Sequence, residues 1–370
     1  MKLLPCILTG LLWIGVLPGS VRSAALGQFD GHADVGAPKL AGDATYRAAA
    51  QEYELTAAGF NMWAARDEFH FLWKRWKGDF ILQARVEFIG QGVDPHRKLG
   101  WMVRSTLDAD SPYADATVHG DGLASLQFRR TKGGITEQVR SGVAAPSFIQ
   151  LERRGSDYRF AAARFGDPLV TCQTNLALGD EVYVGLFLCS HNSNVVEKAV
   201  FRDVRIIRPA AASFVPYRDY LGSHLEILEV ATGHRELIHS SAQPFEAPNW
   251  TGDGQALIYN TSGRDATYLG RLYRFDLATR RATLIPTDEF NNWFPHISRD
   301  GRWIAFLSFS REVPPTDHPY YQQVALRVMP IEGGKPRVIA CVYGGQGTLN
   351  VPSWSPDSKR LAFVSNSMLP

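Results

Sequence analysis

The sequence predicts an all-β protein: a two-sheet jelly-roll sandwich followed by a shortened β-propeller with about three blades' worth of strands. Three observations carry this. A motif recurs three times in the second half, short period-two apolar runs fill the first half, and helical periodicity is nearly absent.

The motif reads Pro248-Asn249-Trp250-Thr251-Gly252-Asp253-Gly254, then Pro295-His296-Ile297-Ser298-Arg299-Asp300-Gly301, then Pro352-Ser353-Trp354-Ser355-Pro356-Asp357-Ser358. Each copy runs into an apolar strand: Ala256 to Tyr259, Trp303 to Leu307, and Leu361 to Val364. The copies are 47 and 57 residues apart, a spacing of propeller blades. In each unit the Asp-Gly or Asp-Ser pair makes a tight reversal, and the next strand buries both faces against neighbouring sheets.

Taken in order, the chain opens with Lys2, an apolar run from Leu3 to Leu17 and small residues from Gly19 to Ala25. That pattern is a secretory signal peptide over 1–24, with cleavage expected near Ser23 to Ala25. The run is too short for a membrane span, and no later stretch is long and apolar enough for one.

Residues 26–208 form the sandwich. Phe80 to Phe88 alternates apolar and polar positions, and similar runs are Leu99 to Val103, Ser125 to Arg129, Phe148 to Glu152, Tyr158 to Ala163, Val182 to Leu188 and Val200 to Ile207. Ala44 to Glu52 is read as one short turn or helix. Arg208-Pro209-Ala210-Ala211-Ala212-Ser213 begins a linker over 209–218, because proline stops the strand.

Residues 219–370 carry the repeats: a first strand pair (Leu225 to Val230, Glu236 to Ile238), two four-strand units, and a last pair at Ser353 and Leu361. The first pair is expected to close onto the last. Closed propellers have about four to eight blades, so the array is short, stays open or is completed by a second copy.

The net charge is +2 at pH 7, and the longest basic groups are Arg129-Arg130 and Arg153-Arg154. No nucleic-acid face is expected from so balanced a chain. Cys172, Cys189 and Cys341 follow the leader, an odd number, and no spacing fits a zinc site. No cofactor and no metal are expected. The chain contains no Gly-x-Ser-x-Gly elbow, no Glu-x-Asp-x-Glu strand, no Walker loop, no dinucleotide fingerprint and no His-Glu-x-x-His. Catalytic residues are therefore not assigned.

Binding has better candidates. Trp63, Phe69, His70, Phe71, Trp73 and Trp76 crowd one short stretch with Arg66, Asp67, Lys74 and Arg75. Sugars bind where aromatic faces take C–H surface and polar side chains fix hydroxyls. The candidate ligand set is Trp63, Asp67, His70, Trp73, Trp76, Arg104 and His119, with Asp121 beside it on the concave face. Any one of these rings is also what a sandwich core would use. Trp73 and Trp76 cannot both be core in one regular strand. In the repeats, Asn292, Trp293, His296, Asp317 and His318 are the candidate propeller-mouth residues, where partners dock. A lone histidine in a blade is also a common structural residue. Gly344-Gly345-Gln346-Gly347 precedes a strand, so it is read as a connector and not a phosphate cradle.

The repeat half resembles the TolB-like (PD40-repeat) family of exported β-propellers. The resemblance rests on Glu246 to Thr251, Leu272-Tyr273-Arg274-Phe275-Asp276-Leu277, Asn291 to Ser298, Gly344 to Thr348 and Val351 to Arg360. The first half is similar to a concanavalin A-like (LamG/DUF1349-like) jelly roll, through Phe29-Asp30-Gly31-His32, Asp67 to Phe71, Gly78-Asp79-Phe80 and Gly100 to Ser105. The resemblance implies a periplasmic or secreted protein, and a propeller about twice as long as this one. Two functions follow. One is a non-catalytic binding protein whose propeller docks a protein and whose jelly roll recognises glycan, with a homodimer completing the ring. The alternative is a polysaccharide-active enzyme using the jelly roll.

Overall fold

A computed structural model describes residues 26–164, 166–211, 213–214, 222–242, 244–262, 269–286 and 288–366. The 1–24 stretch read as a signal peptide and residues 215–221, where the linker hands over to the repeats, lie outside the described residues. The chain divides after Arg208 into two compact units.

The first unit is two antiparallel seven-stranded sheets. From edge to edge the first runs β1 (Gly31–Val35), β4 (Phe69–Lys77), β13 (Glu181–Cys189), β6 (Lys98–Arg104), β7 (Tyr113–His119), β8 (Ala124–Arg129) and β9 (Glu137–Arg140). The second runs β12 (Val170–Asn175), β11 (Asp157–Ala163), β10 (Phe148–Arg154), β5 (Phe80–Ile89), β14 (Glu197–Ile207), β3 (Glu52–Ala57) and β2 (Asp43–Arg47). The main core lies between them. Leu72, Trp101, Leu126 and Leu186 come from the first sheet, and Leu55, Leu82, Leu151 and Phe160 from the second. Period-two alternation puts every other residue of each strand there.

The expected turn or helix at 44–52 is instead strand β2 followed by one 3-10 turn, Ala48–Ala50. Its alanines invite a helix, yet Ala44 and Tyr46 alternate and pair with Leu55 and Tyr53 of β3. Cys172 on β12 and Cys189 on β13 fall on different sheets. A chain that leaves β12 for β13 crosses from one layer to the other.

The second unit is a stack. β15 (Ser223–Leu228) pairs with β16 (Arg235–Ser241). One four-stranded sheet follows, β17 (Phe245–Trp250), β18 (Ala256–Thr261), β19 (Arg271–Asp276) and β20 (Arg281–Leu284). Another holds β21 (Asn291–Ile297), β22 (Trp303–Phe309), β23 (Gln322–Pro330) and β24 (Arg337–Gly344). Central strands bury both faces. On β18, Leu257 and Tyr259 pack toward Leu225 and Ile238 of the first pair, whereas Ile258 packs on Ile304 and Phe306 of the next sheet.

The three motif copies build one turn three times. Thr251, Ser298 and Ser355 each donate a side-chain hydroxyl to Asp253, Asp300 and Asp357, at 2.6 Å in every copy. The same hydroxyl accepts the backbone N–H five residues on, at 3.0, 3.0 and 2.9 Å. Gly254 (φ 69°), Gly301 (φ 71°) and Ser358 (φ 58°) occupy the left-handed corner. Before the proline of the first two copies a bulge recurs, with Ala247 (φ 49°) and Phe294 (φ 54°) also left-handed.

The expected closure of the first pair onto the last is not formed. Among the described residues β15 and β16 stand as their own sheet, and the third copy gives a hairpin with a single ladder pair, Trp354 with Leu361. Among the described residues no strand pairs along Leu361 to Val364, whose Val364 N–H donates to Thr348 O at 3.1 Å.

The turns generate a titration prediction. Hydroxyl and backbone donors hold the carboxyls of Asp253, Asp300 and Asp357 below the usual carboxylate range, Asp300 down to about 2. A depressed folded-state value means this stabilisation is complete above the free value of about 3.9 and is lost as pH falls toward 2. Carbon-detected NMR should place the Asp300 midpoint near 2, and Ser298→Ala should return it toward the free value.

Candidate functional site

The face of the first sheet turned away from the main core is built in cross-strand rows. One row is Arg75, Tyr183, Arg104, Tyr113 and Arg129, running across β4, β13, β6, β7 and β8. The next is Trp73, Gly185, Met102, Asp115 and Gln127. A third brings Cys189, Lys98 and His119 side by side. Such rows follow from antiparallel register, since directly opposed residues share a face.

Most of this face is covered by the segment linking β3 to β4. Asp67, fully buried, gives one oxygen to Arg129 at 2.7 Å and the other to Arg129 at 2.9 Å and Arg104 at 3.3 Å. Arg129 also donates to the carbonyl of Ala64, Tyr113 donates its hydroxyl to Met62 O at 2.7 Å, and Lys98 donates to Asn61 Oδ1 at 3.0 Å. Burial raises the Asp67 carboxyl, and the two guanidiniums oppose that rise. The Arg129 guanidinium is itself pushed up by Asp67, which marks an ion pair.

Beneath the same segment lies a buried polar set: Lys98, Asp115, Thr117, His119, Ser125 and Gln127. Thr117 donates its hydroxyl to Asp115 Oδ1, while Asp115 Oδ2 has no partner among the described residues. Desolvation pushes Asp115 up to about 7. His119 is pushed down to about 3 by burial and by the Lys98 charge, so its ring is neutral. Asp115 is the one buried carboxylate on the strands of this sheet among the described residues. The other buried carboxylate on this face among the described residues, Asp67, is committed to the two arginines.

The face opens at the end where β4 and β6 finish and β13 begins. There a groove of about 490 Å³ is lined by Arg75, Trp76, Lys77, Ser105, Glu181, Val182 and Tyr183. Arg75 lies over the Tyr183 ring at 5.7 Å, and Trp73 meets that ring edge-on at 5.3 Å. Trp76 donates Nε1–H to Asp79 O at 3.0 Å and carries the Arg208 guanidinium on its ring at 4.4 Å.

The sequence candidates separate accordingly. β4 is regular, so Trp73 and Trp76 point to opposite faces. Trp73 lies beside the groove, and Trp76 lines it while packing on the main core. Trp63 does not line the groove; it is 37% exposed and stands over Lys98, whose Nζ is 5.7 Å from its ring. Asp67 and Arg104 pair with each other and are closed off. His119 shares their face but is buried, and Asp121 lies beyond it in the turn after β7. His70 is elsewhere: its side chain points with Leu72, off this face, and bonds Asp34 at 2.7 Å and His32 at 3.0 Å at the sandwich edge. Arg75, Tyr183 and Glu181 line the groove without belonging to the candidate set. Counting by two from Phe69 through Trp73 to Arg75 was the available signal.

In the repeats, Asn292, Trp293, His296 and His318 are buried and Asp317 is exposed. Asn292 accepts from Ser308 at 2.7 Å, and Trp293 packs edge-on against His318 at 4.6 Å. His296 spans three units: Asn249 at 3.4 Å on Nδ1, Leu349 O at 3.0 Å on Nε2, and its own carbonyl accepting from Trp354 at 3.0 Å. The Asn292 side chain bonds within its own sheet, His296 ties sheets together, His318 lies 3.8 Å from Glu246 of β17, and of the five Asp317 alone is exposed.

No family model matches the chain. An uncharacterized protein of Agrobacterium fabrum is 31% identical over 119 residues, 32% of this chain and 39% of that protein. The match thus spans about two fifths of the curated relative's length. Among solved structures, a TolB candidate from Agrobacterium tumefaciens is 15% identical, covering 79% of this chain and 99% of that one, with a TM-score of 0.35. TolB from Acinetobacter baumannii is 12% identical, with 72% and 57% covered and a TM-score of 0.28. A carbohydrate-binding module of Bacillus subtilis is 14% identical, with 48% and 96% covered and a TM-score of 0.33.

Two outcomes test this description. Asp67→Ala leaves two buried guanidiniums without a counter-charge and should cost about 3–5 kcal/mol in urea denaturation, with faster amide exchange across 61–67. For Asp115 the folded state keeps a proton that the unfolded state releases, so stability should fall as pH rises from about 4 to 7. Asp115→Asn should flatten that slope.

Proposed function

We propose that this is an exported, non-catalytic binding protein, with a carbohydrate-recognising sandwich and a TolB-like stack that docks a protein. The observation that carries the carbohydrate reading is the groove at Arg75, Trp76, Glu181 and Tyr183. It combines half-buried aromatic surface with exposed charged groups, in a volume suited to one or two sugar rings. Export rests on the charged start, apolar run and small residues of 1–24. The docking role rests on the motif copies and the blade-like stacking. A second copy of the chain is one such partner, since two arrays of this length would together supply a full ring.

Among the described residues no helix is long and apolar enough to cross a membrane. Polysaccharide pull-down and calorimetry test the sugar reading. Wild-type protein should bind at least one polymer, and Tyr183→Ala and Trp73→Ala should each weaken it about tenfold. No binding to any polymer would discard the reading.

A further inference from the structure

The row Arg75, Tyr183, Arg104, Tyr113 and Arg129 holds three guanidiniums, and they are not served equally. Arg104 and Arg129 share the buried Asp67 carboxylate. Arg75, at the end of the row, has no carboxylate within ion-pair distance among the described residues, and its side chain is exposed at the groove. The neighbouring charges do not fill that role. Lys77 is held by Asp180 at 3.6 Å and Glu181 at 4.0 Å, which also accounts for the groove's acidic side chain. Arg208, on the Trp76 ring, adds a further positive charge beside the groove.

A guanidinium is a planar fork that matches a carboxylate through two parallel hydrogen bonds, and an aromatic ring beneath it fixes its plane. Tyr183 supplies that ring, with Trp73 edge-on against it, and stays half-exposed at the groove, where a sugar's C–H face can meet it. We propose that the groove takes a carboxylate-bearing glycan, a chain of uronic acid residues, with Arg75 holding a sugar carboxylate and Tyr183 lying against the ring that carries it. This rests on the carbohydrate reading above and adds the chemical class of the sugar.

The experiment uses the full chain with oligogalacturonate, the same oligosaccharide fully methyl-esterified, and a panel of neutral polysaccharides. Esterification removes the charge and keeps the backbone. Wild type should prefer the acid by about three- to tenfold at low salt, less as salt is added. Arg75→Gln should bind acid and ester alike, and Arg75→Lys should keep part of the preference. Arg75 is exposed, so unchanged melting temperatures should confirm that both variants fold. Equal binding of acid and ester by wild type, or a preference untouched in Arg75→Gln, overturns this assignment and leaves the carbohydrate reading standing. Failure to bind acid, ester or any neutral polymer overturns both.

Discussion

One carboxylate shared by two arginines organises the first unit. Removing Asp67, Arg104 and Arg129 from water costs several kcal/mol per charge, and the arrangement holds because the acceptors nearly match the donors. Arg129 also donates to Gly134 O and Ser111 O, and Arg104 to Thr106 O. The result is a clamp that holds the β3–β4 segment flat on the sheet. It covers most of what period-two patterning alone would leave as an open polar face, and leaves a groove at the end where Arg75 and Tyr183 lie.

The second unit depends on a different economy of interactions. Its turns are closed mainly by their own serine or threonine and aspartate, and the second is also tied to the third, Asp300 N–H donating to Ser358 Oγ at 3.0 Å. Its sheets cannot do the same, because a central strand such as β18 has apolar residues on both faces. Stacking is therefore obligatory, and polar cross-ties such as His296 fix the register between sheets that apolar contact leaves slippery. A neutral imidazole suits that task, donating from Nε2 and accepting on Nδ1. Burial lowers its proton affinity and keeps it neutral.

The layers were legible because strand patterning is local. Phe80 to Phe88 announces its buried face, and the repeated Trp-Thr-Gly-Asp-Gly type turn announces its own hydrogen bonds. What escaped was anything set by partners distant in sequence. Asp67 looks like a groove residue in a run of aromatics, and only register reveals that Arg104 and Arg129 converge on it. His70 looks like a companion of Trp73, yet odd and even positions diverge on a strand. Tyr113 to His119 carries alternating small and polar residues and gives a weak apolar signal, although every residue of it is buried. Every other side chain of it, Tyr113, Asp115, Thr117 and His119, faces away from the main core.

Because each reversal in the stack is closed mainly by its own hydroxyl and carboxylate, gaining or losing a sheet leaves most of the corner chemistry of the others in place. The inter-sheet ties are the part that such a change must renegotiate. His296 reaches across to Asn249 on one side and Leu349 on the other, so splicing anything beside it strands an imidazole inside the protein. Drift in the number of sheets should then concentrate at junctions lacking such a bridge, and the histidine's own junctions should be the last to move.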